Sequence, residues 1–171
     1  MKKFLKFSGF IAALLALVAF ILLMATPGVM SGSDVVAKGA TMIFGKKEAV
    51  TVIGIKLGDA ETKLAWSALL AWIFVLVALL ILLVGIVLPL LKVKALDKFA
   101  GLLNLCAVVL LVVAGVFAFI SLPIFCDANG LSSVPEKWTL GAGWVIGGIL
   151  AIAAGVLAIL PAAADFLAKK K

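Results

Sequence analysis

The sequence predicts an all-α integral membrane protein: a four-transmembrane-helix bundle with a small extracellular β-hairpin subdomain in its first external loop. Three observations predict it. The 171 residues are 66% hydrophobic and 13% charged, with a mean hydropathy of +1.37, against roughly 45–50% apolar and 25% charged in soluble domains. Four stretches, 7–24, 64–91, 102–125 and 140–164, are apolar runs without a charged residue. A hydrocarbon core of about 30 Å takes roughly 20 residues at the 1.5 Å helical rise. The third observation is that all the excess positive charge falls on one side of these runs.

The first run follows Lys2, Lys3 and Lys6, a basic start that secretory signal peptides share. Its length of about 18 residues exceeds the usual 7–15 of a signal peptide, and Pro27 crowds the small-residue end in "LLMATPG". A retained helix is expected. The second, third and fourth runs alternate in direction, so the termini, the loop 92–98 and the tail 165–171 share one side. That side carries Lys2, Lys3, Lys6, Lys92, Lys94, Lys98, Lys169, Lys170 and Lys171 against Asp97 and Asp165, which accounts for the whole net charge of +7. The loops 28–63 and 126–137 balance Lys38, Lys46, Lys47, Lys56, Lys63 and Lys137 against Asp34, Glu48, Asp59, Glu61, Asp127 and Glu136. The positive-inside rule then predicts a multi-pass plasma-membrane protein with both termini cytoplasmic. The basic face should attract anionic lipid head groups. Topology accounts for every excess charge, so nucleic acid is not an expected partner. The use of lysine alone for basic residues points weakly to a bacterial protein from an AT-rich genome.

Tryptophans agree with this layout. Trp66 and Trp138 open the second and fourth runs, and Trp72 and Trp144 each follow six residues later, about 9 Å deeper. All four read as interface anchors. In the fourth run Gly143, Gly147, Ala151 and Gly155 recur at i+4, a small-xxx-small stripe that lets a neighbouring backbone approach closely. Weaker versions run through Ser8, Ala12 and Ala16, through Ala71, Ala78 and Gly85, and through Ala107, Ala114 and Ala118. A bundle with these smooth faces inward is expected; the alternative puts the glycine stripe against a second copy. Pro27, Pro89, Pro123 and Pro161 read as markers of helix ends.

In the first external loop "GVMSGSD" reads as a flexible exit, then "ATMIF" and "AVTVIGIKL" as two strands joined across "GKKE". Thr51, Ile53, Ile55 and Leu57 would share one face of the second strand as a possible docking strand. A two-stranded hairpin is marginal alone. It must serve either as a lid on its own bundle or as a docking edge for another chain.

Chemistry is bounded by what is missing. The chain has no His and no Tyr, and the four runs hold no ionisable residue of the kind that marks proton or ion pathways. No catalytic, cofactor-binding or metal-binding set is expected, and no cofactor. Asn104, Ser67 and Ser121 are the most polar groups within the runs, with Asn104 expected to bond a neighbouring helix. Cys106 and Cys126 are too far apart along one helix to pair. Cys106 reads as a buried small residue, and Cys126, at the external mouth, as a free thiol, a lipidation site or half of an intermolecular bridge.

Four spans, internal termini, strands in the first external loop and a shorter second loop together resemble the claudin-type tetraspan layout. The resemblance covers the architecture of the whole chain. The Trp…Gly-Leu-Trp…Cys…Cys signature of that family is missing, because residues 28–63 hold neither Trp nor Cys. No residue role carries over. The expected function is non-enzymatic: the external β loop mediates self-assembly or association with another membrane protein. A small channel, a transporter or an accessory transport subunit is the alternative. A surface enzyme using Asp59, Glu61 and Asp127 is a third.

Overall fold

The computed structural model describes residues 2–52, 55–87 and 94–168. The elements run α1 (Lys2–Ala25), β1 (Pro27–Ser31), β2 (Asp34–Lys38), α2 (Gly39–Phe44), β3 (Lys46–Val52), β4 (Ile55–Thr62), α3 (Trp66–Val87), α4 (Lys94–Phe119), α5 (Ser121–Ala128), β5 (Trp138–Leu140) and α6 (Ala142–Ala168). Four segments are long and apolar enough to cross a membrane: Phe7–Ala25, Trp66–Val87, Gly101–Phe119 and Ala142–Ala163. That is the character of a multi-pass membrane protein.

The four long helices close a ring in which α1 packs on α3 and α6, and α4 packs on α3 and α6. Facing positions show that neighbours are antiparallel. Gly9 lies by Pro161, Leu23 by Gly147 and Thr26 by Gly143; Gly115 lies by Ile152 and Gly155 by Val108. Small residues fill the ring. Ala12, Ala16, Ala19, Ala68, Ala71, Ala78, Ala107, Ala114, Ala118, Ala151, Ala154 and Ala158 have no exposed surface. Large side chains such as Phe10, Ile21, Leu80, Val109, Ile149 and Val156 face outward. This order would be unfavourable in water. In lipid it is the favourable one, because tails solvate Leu and Ile while Ala and Gly let helix backbones close up.

The third and fourth spans depart from the sequence reading at their prolines. The run 102–125 is not one helix: α4 stops at Phe119 and α5 begins at Ser121. Pro123 has no N–H to offer the Phe119 carbonyl, and its ring crowds that turn. Ser121 Oγ donates to Phe117 O at 2.6 Å across the break. Pro161, by contrast, does not end its helix, since α6 runs through it to Ala168. Its ring lies beside Gly9 of α1, with Pro161 Cγ 3.8 Å from the position a Cβ would take there. Pro27 opens β1 as a helix-end residue should, and Pro89 lies outside the described residues.

The strand-bearing end is richer than a hairpin. "GVMSGSD", read as a flexible exit, instead falls in β1, the start of β2 and the two-residue turn between them, with Ser31 opposite Asp34 and Gly32 at φ +60°. β5 from the other loop pairs antiparallel with β1, giving a three-stranded sheet in the order β2-β1-β5. "ATMIF" is not a strand: it falls in α2, where Met42 and Ile43 are fully buried. Burial of that adjacent pair under the cap outweighs the β propensity of so short a segment. Gly45, at φ +71°, stops α2 rather than turning a hairpin, and its N–H donates to Thr41 O at 2.8 Å. "AVTVIGIKL" is likewise not one strand. The chain reverses within it, so that β3 pairs with β4 from Lys46↔Thr62 to Val52↔Ile55.

Candidate functional site

The candidate site is the cap that these strands build on the bundle. Its attachment begins at the last turn of α1, where the Thr26 hydroxyl donates to Leu22 O at 2.6 Å. Thr26 O then accepts the Gly39 N–H at 2.8 Å, Gly28 O accepts the Gly141 N–H at 2.9 Å, and Met42 O accepts the Ala65 N–H at 2.9 Å. These backbone bonds tie α1, α2 and the starts of α3 and α6 together. The fit is tight: a Cβ on Gly39 would overlap Leu23 O and stand 2.8 Å from Trp144 Nε1, and one on Gly141 would overlap Pro27 O.

A second clamp joins the two loops. Asn129 Oδ1 accepts the Lys63 N–H at 2.8 Å, while Asn129 Nδ2 donates to Lys63 O at 3.1 Å and to Phe125 O at 2.8 Å. The amide thus pairs with Lys63 as a strand neighbour would and holds it against α5. Sequence reasoning missed Asn129; the "DANG" run signals a turn, but not a partner 66 residues away.

Beside this clamp lies an open cleft of about 580 Å³. Phe44, Leu64 and Ala128 contribute apolar surface, and Lys46, Lys47, Lys63 and Glu61 contribute charge. Lys47 Nζ lies 3.4 Å from Glu61 Oε1, an exposed pair across the β3–β4 register.

The glycine stripe sits inside the monomer. Gly143 and Gly147 face Thr26 and Leu23 of α1, Gly155 faces Val112 and Leu111 of α4, and Ala151 between them is fully buried. The tryptophans divide. Trp66 is 51% exposed at the start of α3, edge-on to Phe117, and Trp138 is half-buried in β5. Trp72 stacks on Phe20 with ring centres 5.0 Å apart and meets Phe44 edge-on at 5.4 Å. Trp144 is no surface anchor: it has no exposed area, and its indole N–H, like that of Trp72, finds no hydrogen-bond partner. Of the residues read as one face of a docking strand, Ile53 lies outside the described residues. Thr51 falls on β3, with Ile55 and Leu57 on β4, so they do not share a single strand.

Both cysteines are free, with their places exchanged from expectation: Cys106 is exposed on α4 and Cys126 is fully buried on α5. Burial pushes the Cys126 thiol above its ordinary range and removes the access that an intermolecular bridge needs. Ser67 Oγ donates to Ser121 Oγ at 3.3 Å, joining α3 to α5. Asn104 is buried against α3, its Oδ1 3.0 Å from the position of a Cβ on Gly85. Among the described residues no group of three His, Cys, Asp or Glu is placed to hold a metal ion. No protein-family model matches the chain, and no curated protein is significantly similar to it.

Proposed function

We propose that this is a non-enzymatic four-helix protein of the plasma membrane whose cap docks a second copy or another membrane protein by strand addition. The observation that carries the reading is the outer edge of β2. It is the last strand of the β2-β1-β5 sheet, and Val35 and Val36 are 48% and 40% exposed there. Valines that point to opposite faces of an unpaired edge offer an incoming strand both backbone bonds and apolar side-chain contact. The one-sided lysine balance supports cytoplasmic termini with this edge outside, and the lysine-only usage favours a bacterial source. A transport role draws less support, since the alanines that face the bundle axis, among them Ala16, Ala71, Ala114 and Ala151, are fully buried.

The test is site-specific photo-crosslinking in native membranes, with the probe at Val36 and a control probe at Val156 on the outward face of α6. Discrete adducts at Val36, lost when Val35 is replaced by Lys, are the expected result. Adducts at neither site, or equally at both, would overturn the docking reading.

A further inference from the structure

The docking reading leaves the cleft beside Asn129 without a role, and its chemistry is specific. We propose that it holds the head group of an anionic phospholipid. This inference rests on the chain being a membrane protein, but not on what docks at β2.

The cleft is at the right level and has two chemical sides. Leu64 lines it two residues before Trp66 opens the apolar span, so its floor lies at the boundary of the bilayer. The apolar side is unsatisfied in water: Phe44 is 51% and Leu64 40% exposed. Phe44 also rests on Trp72, which stacks on Phe20, so apolar surface continues from the cleft onto the seam between α3 and α1. The polar side carries Lys46, Lys47 and Lys63 against Glu61, whose carboxylate already lies on Lys47. The Lys63 ammonium has no acidic partner among the described residues. A phosphate among the lysines with acyl chains running past Phe44 satisfies both sides at once, whereas a soluble anion satisfies one. The volume of about 580 Å³ falls within the usual range for small-ligand clefts. The walls are held before any ligand arrives. Asn129 fixes the Lys63 backbone, and Gly45 brings the start of β3 against Thr62, where a Cβ would stand 2.9 Å from Thr62 O.

The experiment uses the full chain in nanodiscs of equal parts phosphatidylglycerol and phosphatidylcholine, with retained lipid counted by native mass spectrometry after release. Lys46→Gln with Lys63→Gln is compared with Lys38→Gln with Lys137→Gln, which removes the same charge from exposed positions outside the cleft. Each well-placed lysine is worth about fivefold in affinity for an anionic head group. Retained phosphatidylglycerol should therefore fall by about 30-fold in the cleft variant and stay unchanged in the Lys38/Lys137 control. Equal retention in cleft variant and wild type would overturn the proposal, as would displacement of the lipid by millimolar glycerol phosphate, which would make the ligand a soluble anion. A chain that does not enter nanodiscs at all would overturn the membrane reading itself, and is distinguishable from both.

Discussion

Gly115→Ala is a sharp perturbation of the packing of α4 on α6, and Gly9→Ala is its control. A Cβ on Gly115 would overlap Ile152 Cγ1 and stand 2.8 Å from Gly148 O and 3.0 Å from Ile152 Cδ1. Ile152 can rotate, but Gly148 O is helix backbone and yields only if α4 and α6 separate. Overpacking costs about 1–3 kcal/mol, and the upper end applies where backbone must move. Alanine returns up to about 1 kcal/mol through helix propensity. The net loss is about 2 kcal/mol. At Gly9 the nearest atom is Pro161 Cγ at 3.8 Å, an ordinary contact, so the same substitution keeps the propensity gain. The two variants should differ by about 3 kcal/mol.

Intermediate rungs follow from the same geometry. Gly147→Ala would meet Leu23 Cδ2 at 3.3 Å, a flexible tip, and should be close to neutral. Gly155→Ala would meet Val112 Cγ2 at 3.0 Å and Val108 O at 3.2 Å, and should fall between Gly147→Ala and Gly115→Ala. The assay is equilibrium unfolding in mixed micelles with increasing dodecyl sulfate, followed by tryptophan fluorescence. A Gly115→Ala protein as stable as Gly9→Ala, or a reversed order of the ladder, would refute this packing of α4 on α6.

Two further outcomes are expected. Asn129→Asp keeps the shape of the side chain but removes the donor to Lys63 O and Phe125 O; the thermal midpoint should drop, for a loss of about 1–2 kcal/mol, and an unchanged midpoint would show that the clamp is incidental. The raised Cys126 thiol is favoured neutral in the folded state, so its contribution is constant at neutral pH and fades as pH rises past the unfolded thiol value near 9.0. Wild type should therefore lose stability relative to Cys126→Ala on going from pH 8 to pH 10, and parallel pH profiles would contradict the buried placement.

The spans were legible in the sequence because the bilayer imposes a length and an absence of charge that no other constraint imitates. Their inward faces were legible as well: stripes such as Ala107, Ala114 and Ala118 turn up with no exposed area. The cap was not. A Gly-Ser pair between two apolar runs is a hairpin signal, and it stood in "VMSGSDVV" at Gly32 and Ser33, yet the preceding Pro27-Gly28 masked the alternation of β1. Nothing local distinguishes α2 from a strand over so few residues; the burial of Met42 and Ile43 decides it. β5 is three residues long and exists because β1 has a free edge to receive it. Trp144 was misplaced because Trp138 and Trp144 were placed on one helix, whereas Trp138 lies in β5 and α6 begins only at Ala142. The second tryptophan therefore sits in the first turn of α6 with Gly39 of the cap packed against its indole.

Whether the cap is a lid or a platform can be argued from how it is fastened. A lid needs a hinge, and the candidates are the two junctions of the sheet with the bundle, at Pro27 and at Gly141. Pro27 follows Thr26, whose carbonyl holds Gly39, and Gly141 donates to Gly28 O while its Cα lies against the Pro27 carbonyl. Met42 O holds the start of α3 through Ala65. Opening would break these bonds together, at about 0.5–1.5 kcal/mol each before any loss of burial, and would expose Met42, Ile43 and Val29, all fully buried. The central strand β1 is moreover the direct continuation of α1, and β5 leads straight into α6, so two neighbouring helices of the ring feed one sheet. A force on the β2 edge passes through β1 into both. Such a sheet suits a protein that holds a partner in place better than one that admits a ligand to the bundle.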